Sequence, residues 1–303
     1  MAVTASMVKE LREMTGAGMM DCKNALVECD GDMDKAVDFL REKGLAKAAK
    51  KAGRIAAEGL VKLAFGAENK SAALVEVNSE TDFVAKNEEF IAFVDGLAEL
   101  ALTTESDDIE AFKAMPFEGS TVQEVLTAKI AKIGENMSVR RLHKMATPGV
   151  VYTGYVHNKG QIGVIVGIKT DATQEEINVC AKDVAMQVAS MSPKFVDESQ
   201  VDPEWLAKET EIAKQQLLEE GKPEKMLERI IPGKIKAIKK EVCLVDQKFV
   251  KNSDMTVGQY VESVAKELGK DMQVVEMARF EVGEGIEKKE EDFAAEVAKQ
   301  MGI

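Results

Sequence analysis

Histidine is nearly absent: His143 and His157 are the only two in 303 residues. So few argue against a histidine zinc site and a histidine-based hydrolytic triad. Cysteine is scarce as well. Cys22, Cys29, Cys180 and Cys243 form no CxxC pair and no metal-ligand spacing, which implies free thiols in a reducing compartment. No apolar run approaches the ~20 residues that a membrane span needs. Positive charge is in deficit, with 40 Lys and Arg against 53 Asp and Glu and a net charge of −13. Affinity for duplex nucleic acid rests on clustered cations, so neither nucleic acid nor membrane is expected as a partner. The loop TGAGMMD, with Gly16 and Gly18, is not a phosphate loop, because no strand precedes it and no GK[ST] follows.

No set of side chains in this chain supports covalent or acid–base chemistry, and no cofactor or metal is implied. The hydrophobic content of 45% over this length fills two or three domains. The opening MAVTASMVKELREM is polar and amphipathic and reads as neither signal peptide nor span, so a cytoplasmic protein is expected. The function to look for is binding, with a protein or small molecule as partner.

The stretch LVEVNSETDFVAKN, residues 74–87, organises that search. Leu74, Val75 and Val77 suit a buried strand. Asn78 to Thr81 break the run with turn-prone residues. A helical pattern follows over 83–102, through Phe83, Asn87, Phe90, Ile91 and Val94, for which Ser79 or Thr81 is an acceptable N-cap. Phe83 therefore sits in a helix's first turn, flanked by Thr81, Asp82 and Lys86, either as a hydrophobic staple or as an exposed anchor.

Around it the chain predicts an α+β protein. Residues 1–55 read as three short helices plus a linker, similar to a ubiquitin-associated-type (UBA-like) domain. Val8, Leu11 and Met14 form the first stripe, Cys22, Ala25 and Leu26 the second, and Ala36, Val37, Phe39 and Leu40 the third. Met19, Met20 and Lys23, beside the glycine-bearing loop, divide between partial core packing and an adaptable contact surface. Residues 44–54, alanine-rich and basic, offer little apolar surface and read as a helical or flexible connector.

From residue 59 onward the sequence repeats itself. A hairpin over 60–77 and its helix are matched by a hairpin over 150–168 and a helix over 173–191. TVQEVLTAKIAKIGENMSVRRLHKM from Thr121 aligns without a gap on TVGQYVESVAKELGKDMQVVEMARF from Thr256, with Gly134 over Gly269. Each unit thus reads hairpin, helix, helix, strand, giving two related subdomains with three-stranded antiparallel sheets covered on one face by helices. The first spans 56–146; the second spans 147–194 and 244–282. An insertion over 195–243 carries apolar stripes on both sides of Glu220-Gly221-Lys222-Pro223, which predicts an antiparallel helical hairpin whose second helix Pro232-Gly233 should kink or interrupt. Residues 283–303 predict a terminal helix with Phe293, Val297 and Met301 on one stripe, packed on its own protein or docked on a partner.

LREMTGAGMMDCKNAL, NSETDFVAKN, AKIGENMSVRR, GQIGVIV, DVAMQVASMSPKF, EEGKPEKMLERI, LVDQKFV and RFEVGEGIEK follow one another along the chain. In order and spacing they resemble the elongation factor Ts family, with TDFVAKN and TGAGMMDCK the most specific. The resemblance implies a translation factor, the guanine-nucleotide exchange factor of the GTPase EF-Tu, which binds the GDP-bound form, expels nucleotide and leaves when GTP binds. It implies that Thr81, Asp82, Phe83 and Val84 form the loop that disturbs the magnesium and phosphate site. Ile133 and Gly134 would lie beside it, with His157 as a further contact. Met19, Met20 and Lys23 would grip the GTPase domain together with the C-terminal helix, and Phe249 and Val250 would reach the distal part of EF-Tu. The hairpin would support a homodimer or a two-plus-two complex. The alternative is a non-enzymatic scaffold or chaperone-like interaction protein, whose partners would not depend on guanine nucleotide.

Overall fold

In the computed structural model, residues 3–15 and 17–287 are described. The chain starts with α1 (Ala5–Thr15), α2 (Met19–Glu28) and α3 (Met33–Ala49). A first unit follows: β1 (Glu58–Phe65), β2 (Ala72–Ser79), α4 (Asp82–Ala85), α5 (Glu88–Ala101), α6 (Ile109–Lys113), α7 (Val122–Ile133) and β3 (Met137–Met145). The second unit holds β4 (Val150–His157), β5 (Ile162–Thr170), α8 (Gln174–Met191), α9 (Pro203–Glu219), α10 (Glu224–Val242), α11 (Val257–Leu268) and β6 (Met272–Glu281).

The aligned threonines and glycines of the repeat are the ends of equivalent helices. Thr121 and Thr256 cap α7 and α11, each in a reciprocal capping box with the residue three positions on, Glu124 and Gln259. Gly134 and Gly269 close the same helices in the left-handed conformation, at φ 92° and 64°. The sheets correspond too. Both are antiparallel, in the orders β1-β2-β3 and β6-β5-β4, so the central strand of each is the second strand of its hairpin.

All eight residues of β2 are buried, because its sheet is covered on both faces. Val75 and Val77 face a core with Phe90, Phe93, Leu97 and Leu126, while Leu74 faces the other sheet. Val164, Val166 and Ile168 of β5 face α8 and α11, and Ile165 faces back. The helices were expected; the meeting of the two back faces was not. Leu74, Val61, Tyr152, Ile165, Val150 and Val282 share one cluster there. Large apolar side chains contribute at most about 1.5–3 kcal/mol each on burial. Four of them rival the whole net stability of about 5–15 kcal/mol of a typical domain. The two units therefore stand or fall together. Gly163 permits the approach, since a Cβ there would lie 2.4 Å from Val61 Cγ1.

Several sequence expectations need correction. The helix expected over 83–102 is two, because the Asn87 side chain accepts from the N–H groups of Glu89 (2.9 Å) and Phe90 (3.3 Å) and starts α5 afresh. Of the two readings of the connector the helical one holds as far as Ala49, where α3 ends, but it is better anchored than its small side chains suggest, because Ala48 packs against the first core. Met14 is exposed rather than on the packed stripe. α10 continues through Pro232 without interruption, on a face where Pro232 and Gly233 are exposed and water can satisfy the freed carbonyl. The α9–α10 hairpin buries only Ala213, Leu217 and Leu227 of its own stripes and is rooted by Trp205 on the Phe195 ring, centroids 5.3 Å apart. The terminal helix expected around Phe293, Val297 and Met301 lies outside the described residues.

A buried charge ties the first sheet to the end of the second unit. Glu76 on β2 is fully buried and accepts from Arg140 Nη1 (2.9 Å), Arg141 Nε (2.5 Å), Asn78 Nδ2 (3.0 Å) and the Gly283 N–H (2.9 Å). Adjacent strand residues ordinarily point to opposite faces. Here Arg140 is the extra residue of a β-bulge opposite Glu76–Val77, which lets both arginines reach one carboxylate. Burial pushes the Glu76 pKa up, but the Gly283 N–H and the two guanidinium groups outweigh it and hold it below the ordinary glutamate value of 4.5.

Two outcomes follow from this packing. Gly163→Val should overpack the contact between the sheets and lower stability by about 1–3 kcal/mol, read as a lower denaturant midpoint at unchanged slope. A folded-state pKa below the unfolded one gives stability that is full above 4.5 and lost as pH falls through the depressed value. Thermal melts from about pH 6 to pH 3 should thus fall more steeply for the native chain than for Glu76→Gln. Parallel curves would remove Glu76 from the acid response.

Candidate partner-binding surface

The turn after β2 leaves Phe83 outside for local reasons. The strand ends at Ser79, whose Oγ donates to the Thr81 carbonyl (3.0 Å). Thr81 then caps α4, its Oγ1 accepting from the Val84 N–H at 3.4 Å. In a one-turn helix neighbouring side chains point about 100° apart. Val84 and Ala85 enter the first core, so Asp82 and Phe83 must face out. Phe83 is 79% exposed, the most exposed large hydrophobic side chain among the described residues. The choice between staple and anchor is settled for exposure, and Val84 serves as the buried root of the turn. Lys86 Nζ sits 2.5 Å from Asp82 Oδ2 and 5.9 Å from the Phe83 ring centroid. Its hydrogen bond holds the Asp82 carboxyl below the usual range.

This turn is clamped from a second segment. Gly134 reverses the chain after α7 and brings up Glu135, whose carboxylate accepts from both the Thr81 N–H (3.0 Å) and Thr81 Oγ1 (2.7 Å). Glu80 reciprocates by accepting from the Asn136 N–H (2.5 Å) and from Arg54 Nη1 (3.4 Å). Asn136 Nδ2 closes the ring on the Arg54 carbonyl at 2.8 Å. Three stretches, the connector, the Phe83 turn and the turn after α7, are thereby one polar lock. Ile133 and Gly134 are half-buried beside it.

His157 ends β4 at the same end of the molecule. Gly160 in its turn lies against β1, where a Cβ would be 2.8 Å from Leu60 Cδ2. The neighbouring β1 residue Gly59 pairs with Asn78, just before the Phe83 turn. His157 is exposed, with Nδ1 2.9 Å from the Tyr155 hydroxyl. Met19, Met20 and Lys23 are exposed on α2, while Cys22, Ala25 and Leu26 fill the small helical core behind them. Phe249 is a correction: it is 3% exposed and stacked on Tyr260 at 4.3 Å, so it packs the second core instead of presenting a contact. Val250 beside it is 50% exposed, its N–H held by Gln187 Oε1 at 2.8 Å.

Glu135, Glu80, Asn136 and Arg54 carried no assigned role in the sequence reading. A usable signal was present in the repeat. Directly after the matched glycines the two copies diverge, Glu135-Asn136 standing over Lys270-Asp271. A position that changes beside a retained turn points to work special to one copy. The cysteines offer no such work: burial and Asp183 push the Cys180 thiol up to about 12, and burial and Asp246 push Cys243 up to about 11.

Among the described residues no helix is long and apolar enough to cross a membrane. The family model for elongation factor TS matches residues 80–284. The chain is 56% identical over 300 residues to elongation factor Ts of Clostridioides difficile (strain 630), covering 99% of each chain. It is 54% identical over 302 residues to that of Clostridium novyi (strain NT) and 53% over 302 residues to that of Clostridium tetani (strain Massachusetts / E88), again covering 99% of each chain.

Removing the carboxylate should free the turn without unfolding its root. Hydrogen bonds to a charged group contribute about 1.5–3 kcal/mol, so Glu135→Ala should speed amide exchange at Thr81 by about tenfold or more. Exchange at buried Val84 and Ala85 should change far less. Equal loss of protection at all three would mean that the clamp supports the whole helix and not the turn.

Proposed function

Because the chain belongs to the elongation factor Ts family, whose members are translation elongation factors, we propose that it is the guanine-nucleotide exchange factor of the GTPase EF-Tu. In this reading it binds EF-Tu with GDP, inserts Phe83 beside the magnesium and phosphate site, holds the nucleotide-free GTPase, and is displaced by GTP. It does this without covalent chemistry, in the cytoplasm.

The observation that carries the reading is Phe83 itself, a 79% exposed ring on a turn locked by Glu135. An exposed aromatic on a mobile loop would be an ordinary blemish. On a locked turn it is a shaped projection.

Magnitudes divide the labour. Burying the ring contributes about 1.5–3 kcal/mol, roughly tenfold to a hundredfold in an equilibrium constant. Loosening a nucleotide bound at about nanomolar affinity, near 12 kcal/mol, takes more than that. The other exposed groups, Met19, Met20, Lys23, His157 and Val250, supply binding energy that keeps Phe83 where magnesium cannot stay. Reciprocity then requires that nucleotide weaken the factor as much as the factor weakens nucleotide, and this releases it.

The hairpin supports a second, separate role. Ile212, Leu218 and Met226 are exposed on it, and these suit a homodimer or a two-plus-two complex with EF-Tu. A nucleotide-independent scaffold would use the same surfaces without touching GDP.

Release of a fluorescent GDP analogue from preloaded EF-Tu separates the readings. The native chain should accelerate release, and Phe83→Ala should lower the maximal rate by about tenfold to a hundredfold. No acceleration by the native chain would leave the scaffold reading; an unchanged maximum for the variant would take Phe83 out of the mechanism.

A further inference from the structure

Charge on this chain is not spread evenly. Over residues 222–240, along α10 and the turn before it, Lys and Arg outnumber Asp and Glu by seven to two, although the whole chain carries −13. With about 100° between successive helical residues, Lys225, Arg229, Lys236 and Lys240 fall within an arc of about 60°, and no carboxylate shares it. All four are exposed, as is Lys222 in the turn. Between the two pairs this side of the helix shows only Pro232 and Gly233, both exposed. At 1.5 Å of rise per residue the stripe is about 22 Å long.

The stripe serves no end within the described chain. Among the described residues Lys225, Arg229 and Lys236 make no hydrogen bond or ion pair, and Lys240 only feels the charge of Asp246. Cations off the stripe are treated differently: Lys239 pairs with Glu198 (3.0 Å), and Lys234, on the far side of the helix, donates to Gln216 Oε1 (3.2 Å). α9 carries Glu204, Glu209, Glu211 and Glu219, yet among the described residues none of them pairs with the stripe. Lys225–Arg229 and Lys236–Lys240 are like charges four residues apart, an arrangement that works against a helix. Lys236 and Lys240 at least complement the negative end of the helix dipole. Lys225 stands in the first turn of α10, where that dipole disfavours a cation.

A straight row of unpaired cations fits a row of phosphates. Lysine is depleted in protein–protein interfaces, and the stripe holds no aromatic or aliphatic anchor of the kind that dominates them. The apolar side chains of α10, with Leu227 buried, lie on the other side toward α9, so no apolar face accompanies the cations into a lipid layer. The screening length is about 8 Å at physiological salt, and α10 is about 28 Å long, so most of the stripe lies beyond the reach of carboxylates at the hairpin's root. The net charge, which speaks against nucleic acid for the chain as a whole, does not describe this face. The family works in translation, where the phosphate polymer is RNA. We propose that the face of α10 bearing Lys225, Arg229, Lys236 and Lys240 is a docking surface for the phosphate backbone of RNA, recognised by charge and not by base sequence. It does not depend on the exchange reading.

Fluorescence anisotropy of a labelled RNA duplex of about 20 base pairs tests it on the full-length chain. Each phosphate neutralised contributes about 0.9 to the logarithmic salt slope on a DNA duplex. Four contacts on that scale give a slope of about 3 to 4, so affinity should fall roughly a hundredfold between about 50 and 200 mM salt. A variant with Lys225, Arg229, Lys236 and Lys240 all changed to Gln should bind at least about tenfold more weakly at the lower salt, with the slope reduced below about 1. A control removes the same charge elsewhere, changing to Gln the exposed, paired Lys9, Lys35, Lys113 and Lys266. Its affinity should stay within about twofold of the native chain. Equal losses in both variants would mean that net charge and not this face is at work, and no binding by the native chain at about 50 mM salt overturns the proposal outright. Stripe-dependent binding to vesicles rich in phosphatidylserine, or to polyglutamate, that is tighter than binding to the duplex would assign the face to a membrane or an acidic protein and overturn it as well.

Discussion

Everything in this molecule hangs on two sheets closing back to back. Helices need one apolar stripe and sheets one apolar face, and a single repeat with its helices would satisfy both requirements while leaving the second face of its sheet in water. Here that face is apolar too. Leu74 and Val61 from one unit meet Ile165 and Tyr152 from the other, and Gly163 removes the side chain that would hold them apart. Once closed, the frame has two ends, and the topology decides what each carries. β2 must finish where β3 begins, because they pair from Ser79–Met137 to Ala72–Met145. The turns after β2 and after α7 therefore share one end by necessity.

The polar lock exploits that necessity. Thr81 and Glu135 are far apart in sequence, yet strand pairing brings their turns together before any side chain is chosen. Evolution of a specific contact then needs only an acceptor after Gly134 and a donor pair at Thr81. The same end receives the β4–β5 turn through Gly160 and the connector through Arg54. Buried charge is used on the same frame at Glu76, where a bulge turns two consecutive arginines to one side. In the second copy the equivalent bulge carries Val275 and Glu276 and satisfies a tyrosine instead. The backbone device is shared, and its chemistry is free to diverge.

Much of this was legible in the sequence, and the reasons are physical. Helix ends are written in residue types with few substitutes, a capping threonine and a left-handed glycine, so the repeat was visible as Thr121 over Thr256 and Gly134 over Gly269. β2 read as a continuous apolar run because both its faces are covered. What covers the second face could not be read, since an apolar residue does not name its neighbour. The connector misled in part for the converse reason: alanines look like weak anchors by area, but Ala48 packs against the first core. Phe249 misled because an aromatic beside an exposed valine is equally at home in a core. Of the candidate site, Phe83 was singled out by a specific motif and its exposure is observed, whereas the glutamate that holds its turn was not singled out, because its partner is defined by pairing between strands and not by spacing along the chain.

The lock also answers why the ring is held by a neighbouring turn at all. Ordering a flexible residue costs about 1–2 kcal/mol of backbone entropy, so fixing the three residues Thr81, Asp82 and Phe83 on contact would cost roughly 3–6 kcal/mol. Burying one phenylalanine returns about 1.5–3 kcal/mol. On a loose loop the insertion would be unfavourable by itself, and the partner would meet a surface that yields to it. With Thr81 bound at both N–H and hydroxyl by Glu135, and Val84 and Ala85 rooted in the core, that ordering is complete before any encounter. Under the proposed exchange reading, the ring's burial would then be available for displacing what occupies its place. A projection proposed to work by exclusion has to be stiffer than the thing it excludes, and in this chain the turn is held from both sides, by the Glu135 carboxylate on Thr81 and by Val84 and Ala85 in the core.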